Sequence, residues 1–149
     1  MKITEWGPLT WCFLHTLVEK IIDNHFKDAK NDLTEVIALI CGMIPCPICR
    51  QHALGYLKGN NINSCNTKES LKMYLFNFHN SVNLKLGKPQ YSIENMDSYK
   101  HYSLSHFTKL FFSYYVNSRS DQLGYSFNKN ITLKKLKNKL ISLKNMATN

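Results

Sequence analysis

The chain has 149 residues, enough for one compact domain of ordinary size, and 44% of them are apolar, enough for a real core. No run of 18 apolar residues occurs, so a membrane-spanning helix is not expected, and the N-terminus lacks the apolar stretch of a secretory signal. The net charge of +9 invites an acidic or nucleic-acid partner, and where the lysines fall decides how far to follow that.

The elements read as helices. Trp11, Leu14, Val18, Ile21 and Ile22 recur at three- and four-residue steps, the face of a first helix, with Pro8 in its first turn. Asn31 or Asp32 caps a second helix carrying Leu33, Val36, Ile37 and Ile40, which Pro45 ends. A third begins at Cys46 or Pro47 and runs to about Lys58, with Gly59 as its stop. Asn66 and Glu69 have capping-box spacing for a fourth, whose stripe is Leu71, Tyr74, Leu75, Phe78, Val82 and Leu86. Gly87 and Pro89 end that one. Four helices joined by short links imply an all-α bundle. Beyond it, residues 104–116 suit a fifth helix and 118–130 a loop. Thr132 caps a last helix with Leu133, Leu136, Leu140 and Leu143. That helix carries Lys134, Lys135, Lys137, Lys139 and Lys144 and no acid. With no aromatics or arginines between them, these lysines read as a solvated face, and a nucleic-acid partner is not expected.

The five cysteines, without a signal segment, do not suggest a secreted disulfide framework. Cys46 and Cys49 form a Cys-x-x-Cys pair with three possible uses. A structural zinc site needs four ligands, and no second pair stands at a usual spacing. Two inert thiols are another possibility. Redox chemistry is favoured by the local order Pro-Cys-Pro: Pro45 ends one helix and Pro47 starts the next. Cys46 then sits on a helix N-terminus, where unpaired N–H groups favour a thiolate. Cys49 lies one turn on, close enough to close a disulfide. Cys46 is therefore expected to be the sulfur an outside thiol attacks. Thioredoxin chemistry needs a βαβ setting, which this chain does not supply. A redox pair on helices needs another destination for its electrons.

Two flanking stretches bear on that destination. In Trp6–Gly7–Pro8 through His15, Trp11 and His15 share a helix face, with Gly7 just before them where backbone can approach a ligand. In His79 through Pro89, His79 and Asn83 share a face, and Asn80 lies beside Asn83. Buried polar side chains on an apolar helix need partners, which a bound polar ring system would supply; the other reading of the segment is a solvated asparagine-rich face. Lys85 and Lys88 at the helix end can meet phosphates.

In this order the three stretches resemble the Erv/ALR family of FAD-linked sulfhydryl oxidases. The residues that carry the resemblance are Trp6, Gly7, Trp11, Leu14 and His15, then Cys46 and Cys49. His79, Asn80, Val82, Asn83, Lys88 and Pro89 follow, with Tyr91 as the aromatic after Lys-Pro. The resemblance covers residues 5–91. It implies a four-helix FAD-binding bundle, placed over residues 1–98; the helical, basic stretch over 99–149 reads as an extension beyond it. It further implies catalytic Cys46 and Cys49, with Cys49 on the flavin side. FAD is then held by Gly7, Trp11, His15, His79, Asn80, Asn83 and Lys88, with Lys85 added as a candidate, and no metal is expected. The implied activity oxidises protein dithiols to disulfides, passing the electrons through FAD to oxygen to give hydrogen peroxide. A homodimer and a small thioredoxin-like or Cys-x-x-Cys carrier are implied partners.

The sequence departs from the cellular pattern. No cysteine follows Cys65 and no tryptophan follows Trp11. Ile44 stands where the family carries an aromatic. Tyr91, Tyr99, Tyr102 or His101 is expected to replace the missing wall on the adenine side. Cys12, Cys41 and Cys65 form no shuttle pair; Cys12 and Cys41 read as buried thiols. This stripped-down pattern resembles the branch found in large cytoplasmic DNA viruses. That implies action in the host cytoplasm or virion, on virion proteins. A helical zinc-binding or scaffold module with structural cysteines is the alternative.

Overall fold

The structure, a computed structural model, describes residues 3–120 and 122–149. Six α-helices follow in order: α1 (Ile3–Lys20), α2 (Phe26–Gly42), α3 (Pro47–Gly59), α4 (Lys68–Lys85), α5 (Leu104–Asn117) and α6 (Tyr125–Lys144). Short 3₁₀ segments lie at Asp23–His25, Ile62–Ser64 and Ile93–His101. The described residues hold no strand, only an isolated bridge between Ile21 and Ala147. The all-α expectation holds.

α1 and α2 are the inner helices. α1 packs against α4, α5 and the Ile93–His101 segment, while α2 packs against α3 and α6. Phe13, Leu14, Leu17 and Val18 bury one face of α1; Leu33, Val36, Ile37 and Ile40 bury one face of α2. Phe111, Tyr115, Leu133, Leu136 and Leu143 join the same apolar cluster from α5 and α6. Phe13 stacks on Phe111 with ring centroids 4.6 Å apart. Burial of this apolar surface, not helix propensity, holds the helices in place.

Several boundaries differ from the sequence reading, each for a physical reason. α1 already runs from Ile3, so Pro8 lies inside it and removes the bond its N–H would make to the Thr4 carbonyl. Ile22 falls outside α1 and is exposed. α2 starts at Phe26 rather than Asn31 or Asp32, because buried Phe26 and Ala29 extend its apolar stripe backwards. The capping box of α4 is Thr67 with Ser70, one residue later than Asn66 with Glu69. The Thr67 hydroxyl accepts the Ser70 N–H at 3.1 Å, and the Ser70 hydroxyl accepts the Thr67 N–H at 3.0 Å. Asn66 instead accepts the Lys30 ammonium at 2.8 Å. α6 starts at Tyr125, behind the left-handed Gly124 (φ 78°), and takes in half of the expected loop. Its stripe runs through Tyr125, Lys129, Leu133 and Leu136, all buried. Lys129 belongs to it because its ammonium donates to the carbonyls of Val116 (3.1 Å) and Ser118 (2.9 Å). Counting lysine as polar hides that stripe in the sequence.

Truncating α5 in the core should cost what a core truncation costs. Phe111→Ala is expected to destabilise the fold by about 3–5 kcal/mol, and Val116→Ala, on the exposed side of the same helix, by under ~0.5 kcal/mol, as read by denaturant unfolding.

Candidate functional site

Cys46 is the N-cap of α3, in extended backbone geometry, with Pro47 as the first helical residue. Its sulfur accepts the backbone N–H of Cys49 at 3.3 Å, and its carbonyl accepts the N–H of Arg50 at 2.9 Å. A helix start thus aims N–H groups at one sulfur of the pair. Both cysteines are half-buried thiols. Burial, reinforced by the hydrogen bond to the Cys46 sulfur, pushes the Cys49 thiol up to about 12. The two sulfurs are placed differently: Cys46 caps the helix start, and burial disfavours the thiolate of Cys49.

Behind Cys49 lies a small cavity of about 50 Å³, walled by α1, α2, α3 and α4. Trp6, Gly7 and Trp11 line it from α1, Cys41 from α2 and Phe78 from α4. Cys41 is buried, which pushes its thiol up to about 12, whereas Cys12 is only half-buried. The Trp6 indole N–H is buried here without a hydrogen-bond partner among the described residues. A Cβ added at Gly7 would make only an ordinary contact, 3.6 Å from Ile3 Cγ1, so the chain's own packing does not demand glycine there. An unpaired buried donor and a side-chain-free wall fit a flat polar ring system that enters beside Cys49.

Trp11 connects this cavity to an aromatic stack. The His79 ring lies on Trp11, 4.3 Å between centroids and 8° from parallel. Tyr91 covers the far side of His79 at 4.6 Å, and Tyr99 stacks on His15 at 4.8 Å. His15 Nε2 and His79 Nδ1 are 3.1 Å apart, and His15 Nδ1 finds no partner among the described residues. Burial, then the neighbouring His79, lowers His15 to about 3; burial, then the charge of Lys88, lowers His79 to about 4. Both rings are neutral at physiological pH, so one must donate and the other accept.

The sequence-predicted residues divide. Gly7, Trp11 and Cys49 share the cavity, and His15 and His79 share the stack with Trp11. Asn80 is spent on the backbone of Tyr91: its amide N–H donates to the carbonyl at 3.1 Å, and its oxygen accepts the N–H at 2.6 Å. Asn83 donates to the Pro89 carbonyl at 3.3 Å. Together they staple residues 89–91 onto α4 and hold Tyr91 in place. Lys85 and Lys88 are exposed. Of the four residues expected to replace the missing wall, Tyr91 and Tyr99 enter the stack and Tyr102 meets Tyr99 edge-on at 5.3 Å. His101 is exposed and outside it. No three of His, Cys, Asp and Glu converge as a metal cluster among the described residues.

Two contributors had not been read from the sequence. Thr10 lines the cavity one turn from Trp6, and its hydroxyl donates to the Trp6 carbonyl at 2.6 Å. It also meets the Tyr115 hydroxyl of α5 at 2.8 Å. The helical spacing of Trp6, Thr10 and Leu14 was a signal for Thr10; nothing in the sequence signalled Tyr115.

The model of the Erv1/Alr family matches residues 8–103, about two thirds of the chain. The chain belongs to the Erv1/Alr family. Its sequence is 32% identical to the FAD-linked sulfhydryl oxidase ERV1 of Arabidopsis thaliana over 92 residues, 62% of this chain and 48% of the relative. It is 31% identical to the protein of the same name in Oryza sativa subsp. japonica over 94 residues, 63% of this chain and 48% of the relative. It is 38% identical to the FAD-linked sulfhydryl oxidase of African swine fever virus (isolate Pig/Kenya/KEN-50/1950) over 88 residues, 56% of this chain and 69% of the relative. The chain thus spans about half the length of the plant relatives it matches. No solved structure matches it. No described helix of this Erv1/Alr chain is long and apolar enough to cross a membrane.

The histidine pair gives the fold a pH dependence of definite sign. An unfolded histidine titrates near 6.5, whereas folded His15 and His79 resist protonation down to about 3 and about 4. Between these limits the unfolded chain binds the protons first, so stability falls as pH drops through 6.5 towards 4. Denaturant midpoints measured from pH 7 to pH 5 are expected to fall. A His79→Asn variant should show a shallower fall over the same window.

Proposed function

We propose that this chain is an FAD-linked thiol oxidase that converts protein dithiols to disulfides and passes the electron pair to oxygen, giving hydrogen peroxide. The observation that carries this reading is the pairing of Cys46, capped by a helix N-terminus, with Cys49, which backs onto the Trp11 cavity. The names of its Erv1/Alr relatives agree with it. The cysteines and the α1 and α4 residues of the machinery lie within residues 1–98, and 99–149 is an extension fused to the same core that adds Tyr99 to the stack.

The dithiol half-reaction belongs to the chain's own residues. In the oxidised pair, a substrate thiolate attacks the Cys46 sulfur, forms a mixed disulfide and displaces the Cys49 sulfur as the leaving group. The second substrate thiolate attacks the substrate sulfur of that mixed disulfide. The substrate leaves as a disulfide, and Cys46 and Cys49 together hold the electron pair and two protons. The N–H groups at the start of α3 stabilise the charge on Cys46 when it departs. Cys49 takes up its proton readily, because its buried site disfavours the thiolate. FAD, when bound, supplies two-electron acceptance from this dithiol and onward transfer to oxygen. Gly7 and Trp11 form the wall it needs beside Cys49, and neutral His15 and His79, stacked with Trp11, back that wall without a charge. Asn80 and Asn83 act through the 89–91 segment, and Lys88 and Lys85 lie at the solvent end of α4 for its phosphates.

Partners and place follow the same reading. The substrate is a protein dithiol, delivered directly or by a small Cys-x-x-Cys carrier, and the working unit is a homodimer. The setting is the host cytoplasm or virion of a large DNA virus, where virion proteins acquire disulfides. The purified chain is expected to be yellow and to consume oxygen when given a dithiol. Cys46→Ser and Cys49→Ser should each abolish turnover and leave the flavin bound, whereas Trp11→Ala should lose the flavin. A folded, colourless chain would sink the proposal.

A further inference from the structure

The turn that bears the two cysteines is held at both ends, and partly from outside the region that matches the family. Ile44 lies two residues before Cys46 and Arg50 one residue after Cys49. Arg50 Nε and Nη2 both donate to the Ile44 carbonyl, at 2.9 and 2.7 Å. This forked bond closes the segment 44–50 into a ring around the pair. Arg50 is itself held. Its Nη1 donates to the Gln122 side-chain oxygen, and its guanidinium lies over the Tyr125 ring, 5.5 Å from the centroid. The Tyr125 hydroxyl donates to the Met43 carbonyl at 3.0 Å, with the Ser118 hydroxyl 3.2 Å away. Both carbonyls of the link between α2 and Pro45 are therefore engaged. Gln122 and Tyr125 lie beyond residue 103, where the family match ends.

We propose that Arg50, Gln122 and Tyr125 are positioning residues that fix the Cys46–Cys49 turn and thereby set how readily the two thiols close to a disulfide. The proposal rests on the redox reading of this pair. Its physical basis is effective concentration: two thiols on a turn with little freedom meet more often than two on a loose one. These three side chains act through the turn, since their hydrogen bonds run to backbone carbonyls and to one another. Arginine suits the central place because its planar fork puts two N–H groups on one oxygen, which a lysine ammonium does not reproduce. α6 therefore has a task at the thiol site despite its basic outer face.

The test equilibrates the full chain, with oxygen excluded, with mixtures of reduced and oxidised glutathione. The exchange is balanced: the Cys46–Cys49 disulfide and two glutathione thiols give the dithiol and one glutathione disulfide. The populations are read by alkylation and mass spectrometry, without recourse to oxidase activity. Tyr125→Phe keeps the ring beneath Arg50 and removes the bond to Met43. Arg50→Lys keeps the charge and loses the fork. Gln122→Ala removes the acceptor, and Gln122→Glu restores one. The first three are expected to move the equilibrium towards the dithiol by about 2- to 10-fold, the worth of one hydrogen bond, and Gln122→Glu should stay within about twofold of the parent. Leu143→Ala, five turns along α6 from Tyr125, should weaken the fold and leave this equilibrium in place. Parent-like constants for both Tyr125→Phe and Arg50→Lys would overturn the proposal, as would an equal shift in Leu143→Ala. A colourless chain that shows the expected shifts supports the positioning role and removes the oxidase reading. A pair that forms no disulfide at any glutathione ratio removes both.

Discussion

The break in the helix between α2 and α3 is the constraint on which the rest of the molecule depends. Pro45 cannot continue α2, and Pro47 has its backbone angle already set for a helix start. Between them one residue, Cys46, must cap the new helix with its own side chain. A serine or aspartate in that place would be an ordinary cap. A cysteine makes it a chemical site, because the same N–H group that satisfies the helix end also points at a sulfur. The direction of α3 then carries Cys49 inward, to the cavity walled by α1 and α4. Two sulfurs three residues apart so acquire opposite surroundings from a single change of chain direction.

The second organising element is a stack of rings whose burial favours the neutral state. Trp11, His15, His79, Tyr91 and Tyr99 face one another without a carboxylate among them. Desolvation makes imidazolium costly there, His79 further opposes the protonation of His15, and Lys88 opposes that of His79. Flat neutral faces at stacking distance are suited to another flat ring, and less to an ion. The Asn80 and Asn83 amides hold the outer leaf of this stack through backbone bonds. That makes them structural partners of Tyr91 as much as candidates for direct contact.

Much of this was legible in the sequence, and the failures are instructive. Helix number and order followed from apolar spacing, and the site at Cys46 followed from two prolines. Boundaries slipped where a polar side chain did an apolar residue's job. Lys129 is the clearest case: an ammonium buried against two carbonyls extends α6 by two turns, and no periodicity count that scores lysine as polar can find it. The cap of α4 slipped by one residue because Asn66 and Thr67 both suit a cap, and only the Lys30–Asn66 contact decides between them. Within the candidate site, residues on one helix face were foreseeable, as with Trp11 and His15. Tyr115 and Gln122 reach the site by long-range packing, which leaves no local trace. The staple made by Asn80 was also hidden, since an asparagine's choice between a ligand and a backbone is made only in three dimensions.

Thr10 carries one consequence beyond its neighbourhood. Its hydroxyl joins the Trp6 carbonyl, at the wall of the cavity, to the hydroxyl of Tyr115 on α5. Linkage makes any such join reciprocal. Any free energy by which a docked α5 favours a group against Trp6 is returned in full as firmer docking of α5 on chains that hold the group. Through Thr10, a helix beyond the family-matched segment stands one hydrogen bond from the side chain that braces the cavity wall.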